Sequence, residues 1–73
     1  MSGRLPRITA GQAQRILEHR GFQVVRQHGS HRILRDPLGR RVILPYHADK
    51  ILHPKILEAI IEDAGLPRDA FEE

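Results

Sequence analysis

The chain has 73 residues with no cysteine and no tryptophan. That leaves room for one small hydrophobic core and excludes a disulfide framework, thiolate chemistry and a cysteine-based zinc site. Hydrophobic residues make up 40% and charged residues 29%, a globular balance, and no apolar run approaches the length of a membrane span.

The net charge of +3 hides a gradient. Residues 1–41 carry nine arginines against Glu18 and Asp36, a balance of +7. Residues 42–73 carry Lys50, Lys55 and Arg68 against seven acids, a balance of −4. The basic half contains no lysine. Arginine offers a planar fork that matches phosphate oxygens, so a polyanion is a natural partner and nucleic acid the commonest one. The plainer reading is a soluble domain with a lopsided surface. Met1 to Arg7 lack the apolar core of a signal peptide, so a cytoplasmic location and no membrane partner are expected.

Thr9-Ala10-Gly11-Gln12 reads as a capping box. Ala10, Ala13, Ile16 and Leu17 follow at helical spacing, with Arg15, Glu18 and His19 outward, and Gly21 ends the helix. The spacing predicts a helix over 10–20. Residues 22–27 form a short strand rich in strand formers, with Phe22 and Val24 on one face. His28-Gly29 signals a turn. Residues 30–35 form a second strand, with His31, Ile33 and Arg35 on one face and Arg32 and Leu34 on the other. Asp36-Pro37-Leu38-Gly39 is a tight turn. Residues 40–44 form a third strand, stopped by Pro45. The short connections imply an antiparallel meander. Residues 46–52 read as a loop. Pro54 opens a helix whose stripe is Ile56, Leu57, Ile60, Ile61 and Ala64, and Gly65-Leu66-Pro67 ends it. Residues 67–71 read as one further helical turn, with Phe71 packing back.

The order is α-β-β-β-α plus a tail. An α+β domain follows: a three-stranded antiparallel sheet with two helices on one face, a short C-terminal helix, and an open sheet face free for function. One domain spans 1–73, with an N-terminal arm over 1–8, a core over 9–66 and a short terminal helix over 67–73.

Five histidines in so short a chain invite acid–base chemistry, because histidine changes charge near neutral pH. His31 follows Gly29 and Ser30 and has Arg26, Arg32 and Arg35 nearby in sequence. Gly29 permits close approach of a ligand, and Ser30 can donate to a phosphate oxygen. An imidazole beside a docked phosphate is the minimum for cleaving RNA through the ribose 2′-oxygen. The commoner reading of the residue, taken without further knowledge, is an ordinary half-buried strand histidine. His47, in Pro45-Tyr46-His47, is either a second acid or base or a hydrogen-bonding loop residue. His53 is positional at a helix start, His19 is solvated, and His28 is ambiguous beside Gly29. His28 and His31 lie across a turn with no clustered carboxylates, so no metal site is expected. Arg32, Arg35, Arg40 and Arg41 flank the second turn, either as phosphate contacts or as a solvated hairpin rim. With three aromatic residues, a base-stacking platform is poorly supported.

Leu5-Pro6, Arg20-Gly21-Phe22 and Gln27-His28-Gly29-Ser30-His31 resemble the opening of the HicA family of toxins. Val42-Ile43-Leu44-Pro45-Tyr46-His47, Pro54 and Ile60 to Leu66 continue the match in order over nearly the whole chain. The resemblance implies a double-stranded-RNA-binding-like α-β-β-β-α fold and a toxin of a type II toxin–antitoxin pair. It implies an endoribonuclease that cleaves mRNA without a metal or other cofactor, with His31 as the catalytic residue. Gly29 and Ser30 would shape the phosphate pocket. Arg26, His28, Arg32, Arg35, Arg40 and Arg41 are the candidate RNA contacts, and His47 is a candidate accessory group. The implied partner is a HicB-like antitoxin covering the His31 face, with DNA engaged only indirectly through that antitoxin. His28 departs from the resemblance, since a Lys, Arg or other polar residue is more often expected before Gly29. Two other functions fit the same fold: a non-catalytic RNA-binding module, and a protein-interaction subunit without RNA affinity.

Overall fold

A computed structural model describes residues 5–47 and 50–72. Of the N-terminal arm, residues 1–4 therefore lie outside the described residues, as do Ala48 and Asp49 of the loop after the third strand and Glu73 of the acidic tail.

Helix α1 spans Ala10–His19. The capping box forms as expected. Gln12 donates its N–H to the Thr9 hydroxyl at 3.2 Å, and Thr9 donates its N–H to the Gln12 side-chain oxygen at 2.8 Å. These bonds satisfy donors that have no partner inside the helix. At the other end, Gly21 donates to the Glu18 carbonyl and Phe22 to the Leu17 carbonyl. That pair of bonds is the Schellman ending, and the buried Phe22 and Leu17 supply its apolar contact. Phe22 therefore belongs to the helix cap rather than to the strand that follows.

Strands β1 (Gln23–His28), β2 (His31–Arg35) and β3 (Arg41–Pro45) make one antiparallel sheet in the order β1-β2-β3. The third strand does not stop before Pro45, which pairs with His31 at its end. Proline is tolerated there because β3 is an edge strand. The next residue restores the link, with Tyr46 donating its N–H to the Ser30 carbonyl at 2.6 Å.

Helix α2 spans Pro54–Ala64, and a 3-10 helix, η1, spans Arg68–Phe71. The His53 side chain caps α2, accepting from the Lys55 N–H at 3.1 Å on Nδ1. Proline at the first helical position loses no intrahelical bond. Gly65 ends α2 in the left-handed region at φ 66°.

Both helices pack on one face of the sheet. Leu34, Val42 and Leu44 point into that side, where they meet Ala13, Ile16 and Leu17 of α1 and Leu57, Ile60 and Ala64 of α2. Phe71 is fully buried in the same cluster, as the apolar end of a polar tail requires. The segment before α1 also joins it. Ile8 is buried, its carbonyl accepts from Leu52, and Thr9 bridges to Ile51. Among the described residues no helix is long and apolar enough to cross a membrane.

Candidate functional site on the open sheet face

The alternation within each strand decides which side chains reach the open face. On β2 these are His31, Ile33 and Arg35, and on β3 they are Arg41, Ile43 and Pro45, paired across the ladder as His31 with Pro45, Ile33 with Ile43 and Arg35 with Arg41. Partners in an antiparallel ladder share a face.

Strand β1 behaves differently. Val24 pairs with Leu34, on the helix side, but Arg26 pairs with Ile33, on the open side. Val25 is the extra residue of a β-bulge between them, and it is 54% exposed. A bulge shifts the phase of a strand by one residue. Unbroken alternation from Phe22 and Val24 would have sent Arg26 and His28 toward the helices. The bulge instead places both on the open face, and His28 pairs directly with His31.

The hairpin between β1 and β2 has only Gly29 and Ser30 at its tip. Gly29 sits at φ 60° while Ser30 keeps a negative φ, the sign pattern of a type II′ turn, which calls for glycine at its first central position. A Cβ on Gly29 would meet nothing within 4 Å, so the residue is required for its backbone angle and the space above it is open.

The open face is thus a basic rim around an apolar centre. Arg26, Arg35 and Arg41 are exposed and make no ion pair among the described residues, and the three strands contain no Asp or Glu. At the centre, Ile43 is 43% exposed beside the partly buried Ile33. His28, Ser30 and His31 lie at one end, all exposed. His31 is therefore not the half-buried strand histidine that composition alone makes the commoner case.

Two of the expected RNA contacts are occupied elsewhere. Arg32 projects to the helix side, where its guanidinium lies 3.7 Å from the centre of the Tyr46 ring and donates to the Gln14 side-chain oxygen at 2.7 Å. It ties the start of β2 to α1. Arg40 precedes β3 and donates to the Ala64 carbonyl at 2.8 Å, with Asp36 3.6 Å away. It caps the end of α2, and a Cβ on Gly65 would stand 2.6 Å from its guanidinium. Neither arginine reaches the open face, because strand parity turns Arg32 inward and the carbonyls at the end of α2 hold Arg40.

His47 is exposed beyond the end of β3 and lines a shallow cleft with Lys50, Ile51, His53 and Ile56. Among the described residues no three His, Asp or Glu side chains converge to hold a metal ion. The bulge and its consequence for His28 escaped the sequence reading. The one available signal was the strand's own pattern: a phase continued from Phe22 and Val24 would have turned Arg26 and His28 toward the side of the helices.

An α-β-β-β-α order with one antiparallel sheet places the protein among small α+β domains, and its open sheet face is basic with a histidine hairpin at one end. The model of the HicA toxin of bacterial toxin–antitoxin systems matches residues 11–66, a span that holds the hairpin, the bulge, all of α2 and all but the first residue of α1. The chain belongs to the HicA toxin family. A toxin role follows from that membership, and so does a HicB-type antitoxin as partner. No curated protein matches the chain.

Proposed function

We propose that this toxin is an endoribonuclease that cuts mRNA by transesterification at the open sheet face, with His31 as a general base or acid. The observation that carries the reading is the placement of an exposed imidazole at the Gly29-Ser30 turn, on a face rimmed by Arg26, Arg35 and Arg41, which make no ion pair among the described residues. These arginines draw a phosphodiester to the face and offset the charge that develops on the phosphorane, and the imidazole moves a proton. Gly29 leaves the approach open and Ser30 offers a hydroxyl to a phosphate oxygen. The whole chain acts as one HicA-like domain in the cytoplasm, without a cofactor.

The same face suits the antitoxin. A HicB-like partner that covers Ile33 and Ile43 would bury the apolar centre and mask His31 together, so neutralisation and substrate exclusion coincide. DNA enters only through that partner.

The test is cleavage of RNA by the purified free protein in EDTA, wild type beside His31→Ala. Wild type is expected to cleave and the variant to be slower by about 100-fold or more, the usual contribution of a positioned proton-transfer group. Intact RNA with folded wild type would leave binding or protein interaction as the function. Equal cleavage by both would remove His31 from the reaction.

A further inference from the structure

Transesterification of RNA moves two protons. One leaves the 2′-hydroxyl as its oxygen attacks phosphorus, and one reaches the 5′-oxygen as the P–O5′ bond breaks. His31 supplies one acid–base group. We propose that His28 is the other, so that the cross-strand pair His28–His31 divides base and acid between two imidazoles. The proposal rests on the nuclease reading above.

The register carries it. His28 and His31 are the last pair of the β1–β2 ladder. Paired residues on one face hold their Cβ atoms about 4.5–5.5 Å apart, close enough for both rings to flank one phosphate. The turn between them is as short as a hairpin allows, and Gly29 at φ 60° sets its shape. The ladder and its two-residue turn, not a long loop, therefore hold the Cβ atoms of the two histidines side by side on one face. Both residues are exposed, and neither side chain has a hydrogen-bond or ion-pair partner among the described residues. His28 occupies this position because of the bulge at Val25. A bulge next to a reactive group commonly serves to aim a side chain. The charged groups on the same face are Arg26, Arg35 and Arg41, with no carboxylate on any of the three strands.

The step balances without a further reactant. One imidazole accepts the 2′-hydroxyl proton while the 2′-oxygen bonds to phosphorus. The electron pair of the P–O5′ bond passes to the 5′-oxygen, which takes a proton from the other imidazolium. The products are a 2′,3′-cyclic phosphate and a 5′-hydroxyl.

The experiment is single-turnover cleavage at a bond first mapped with wild type, on substrates carrying oxygen or sulfur at the scissile 5′ position. His28→Ala is expected to slow cleavage of the oxygen substrate by about 100-fold or more, and His28→Arg, which keeps a cation but delivers no proton, to restore little. A thiolate leaves without protonation. Sulfur should therefore recover most of the loss in whichever of His28→Ala and His31→Ala lacks the acid, and not in the other. His19→Ala serves as a control on α1, and His28→Gln repeats the test should alanine alter the thermal midpoint. Cleavage by His28→Ala within about threefold of wild type would overturn the proposal, as would recovery by His28→Arg. Sulfur rescue of neither variant, or of both, would overturn the division of roles. So would rescue of His47→Ala in place of either. Failure of wild type to cut any RNA would sink the nuclease reading itself, a result distinct from an active wild type that does not need His28.

Discussion

Arg35, Arg40 and Arg41 are near neighbours in the sequence and do unlike things. Arg35 and Arg41 face each other across β2 and β3 on the open side, whereas Arg40 is bonded to the end of α2. Arg35→Ala and Arg41→Ala should weaken RNA binding and each lower the salt slope of that binding by about 1, with the thermal midpoint unchanged. Arg40→Ala should leave the salt slope alone and lower stability by about 1 kcal/mol, low for a charge-assisted bond because the side chain is 39% exposed. A salt titration and a melting curve on each variant separate the two roles. A fall in salt slope for Arg40→Ala would contradict the placement. Residue type alone could not sort these arginines, because the sorting depends on strand parity and on a helix end more than twenty residues away.

Strand β1 and helix α2 show how local rules hold or fail for an element. The ends of α2 obey them. His53 and Pro54 start the helix and Gly65 ends it, and each of these signals is local in the chain. The cap is nonetheless weak chemistry, since an imidazole accepts at the positive end of the helix dipole, where an anion is preferred. His53→Asp should raise stability by about 0.5 kcal/mol through a better cap and a favourable charge. An unchanged or lowered melting midpoint would assign His53 to something other than capping. Strand β1 departs from the rules. All six of its residues are exposed, so no buried stripe fixed its phase, and register is weakly specified where neither face is buried. The bulge at Val25 divides the strand: Val24 stays on the side of Leu34 while Arg26 and His28 turn to the open face with Ile33 and His31.

The charge gradient of the sequence becomes a partial separation in space. Arg26, Arg35 and Arg41 lie on the open face, while α2, on the opposite side of the sheet, exposes Glu58, Glu62 and Asp63. The separation is incomplete, since Arg15 and Arg20 are exposed at α1. A polyanion is repelled by α2 and attracted to the sheet, which orients its approach. The core that supports this face is small, and the terminal segment is part of it. Phe71 is fully buried beneath a tail that otherwise carries Asp69 and Glu72. Phe71→Ala should cost about 3–5 kcal/mol, most of the stability expected for a chain of this size, and is read by urea denaturation. A loss under about 1 kcal/mol would mean that η1 is dispensable to the fold.

What was legible in the chain was whatever neighbours along it control. The capping box at Thr9, the glycine ends of both helices, the proline start of α2, the two tight turns and the in–out alternation of β2 and β3 all rest on contacts a few residues long. Helices and strands with those boundaries leave few ways to bury Leu34, Val42 and Leu44, so the α+β layers followed as well. The phase of β1 depended on pairing with β2, because Val24 and Arg26 take their sides from Leu34 and Ile33 rather than from each other. The roles of Arg32 and Arg40 depended on Gln14, Tyr46 and the carbonyl of Ala64, which come close only once the helices dock. The His28–His31 pair belongs to both kinds. Its two-residue turn is written in Gly29-Ser30, but its presence on the open face required the bulge, whose position is set by the pairing of β1 with β2.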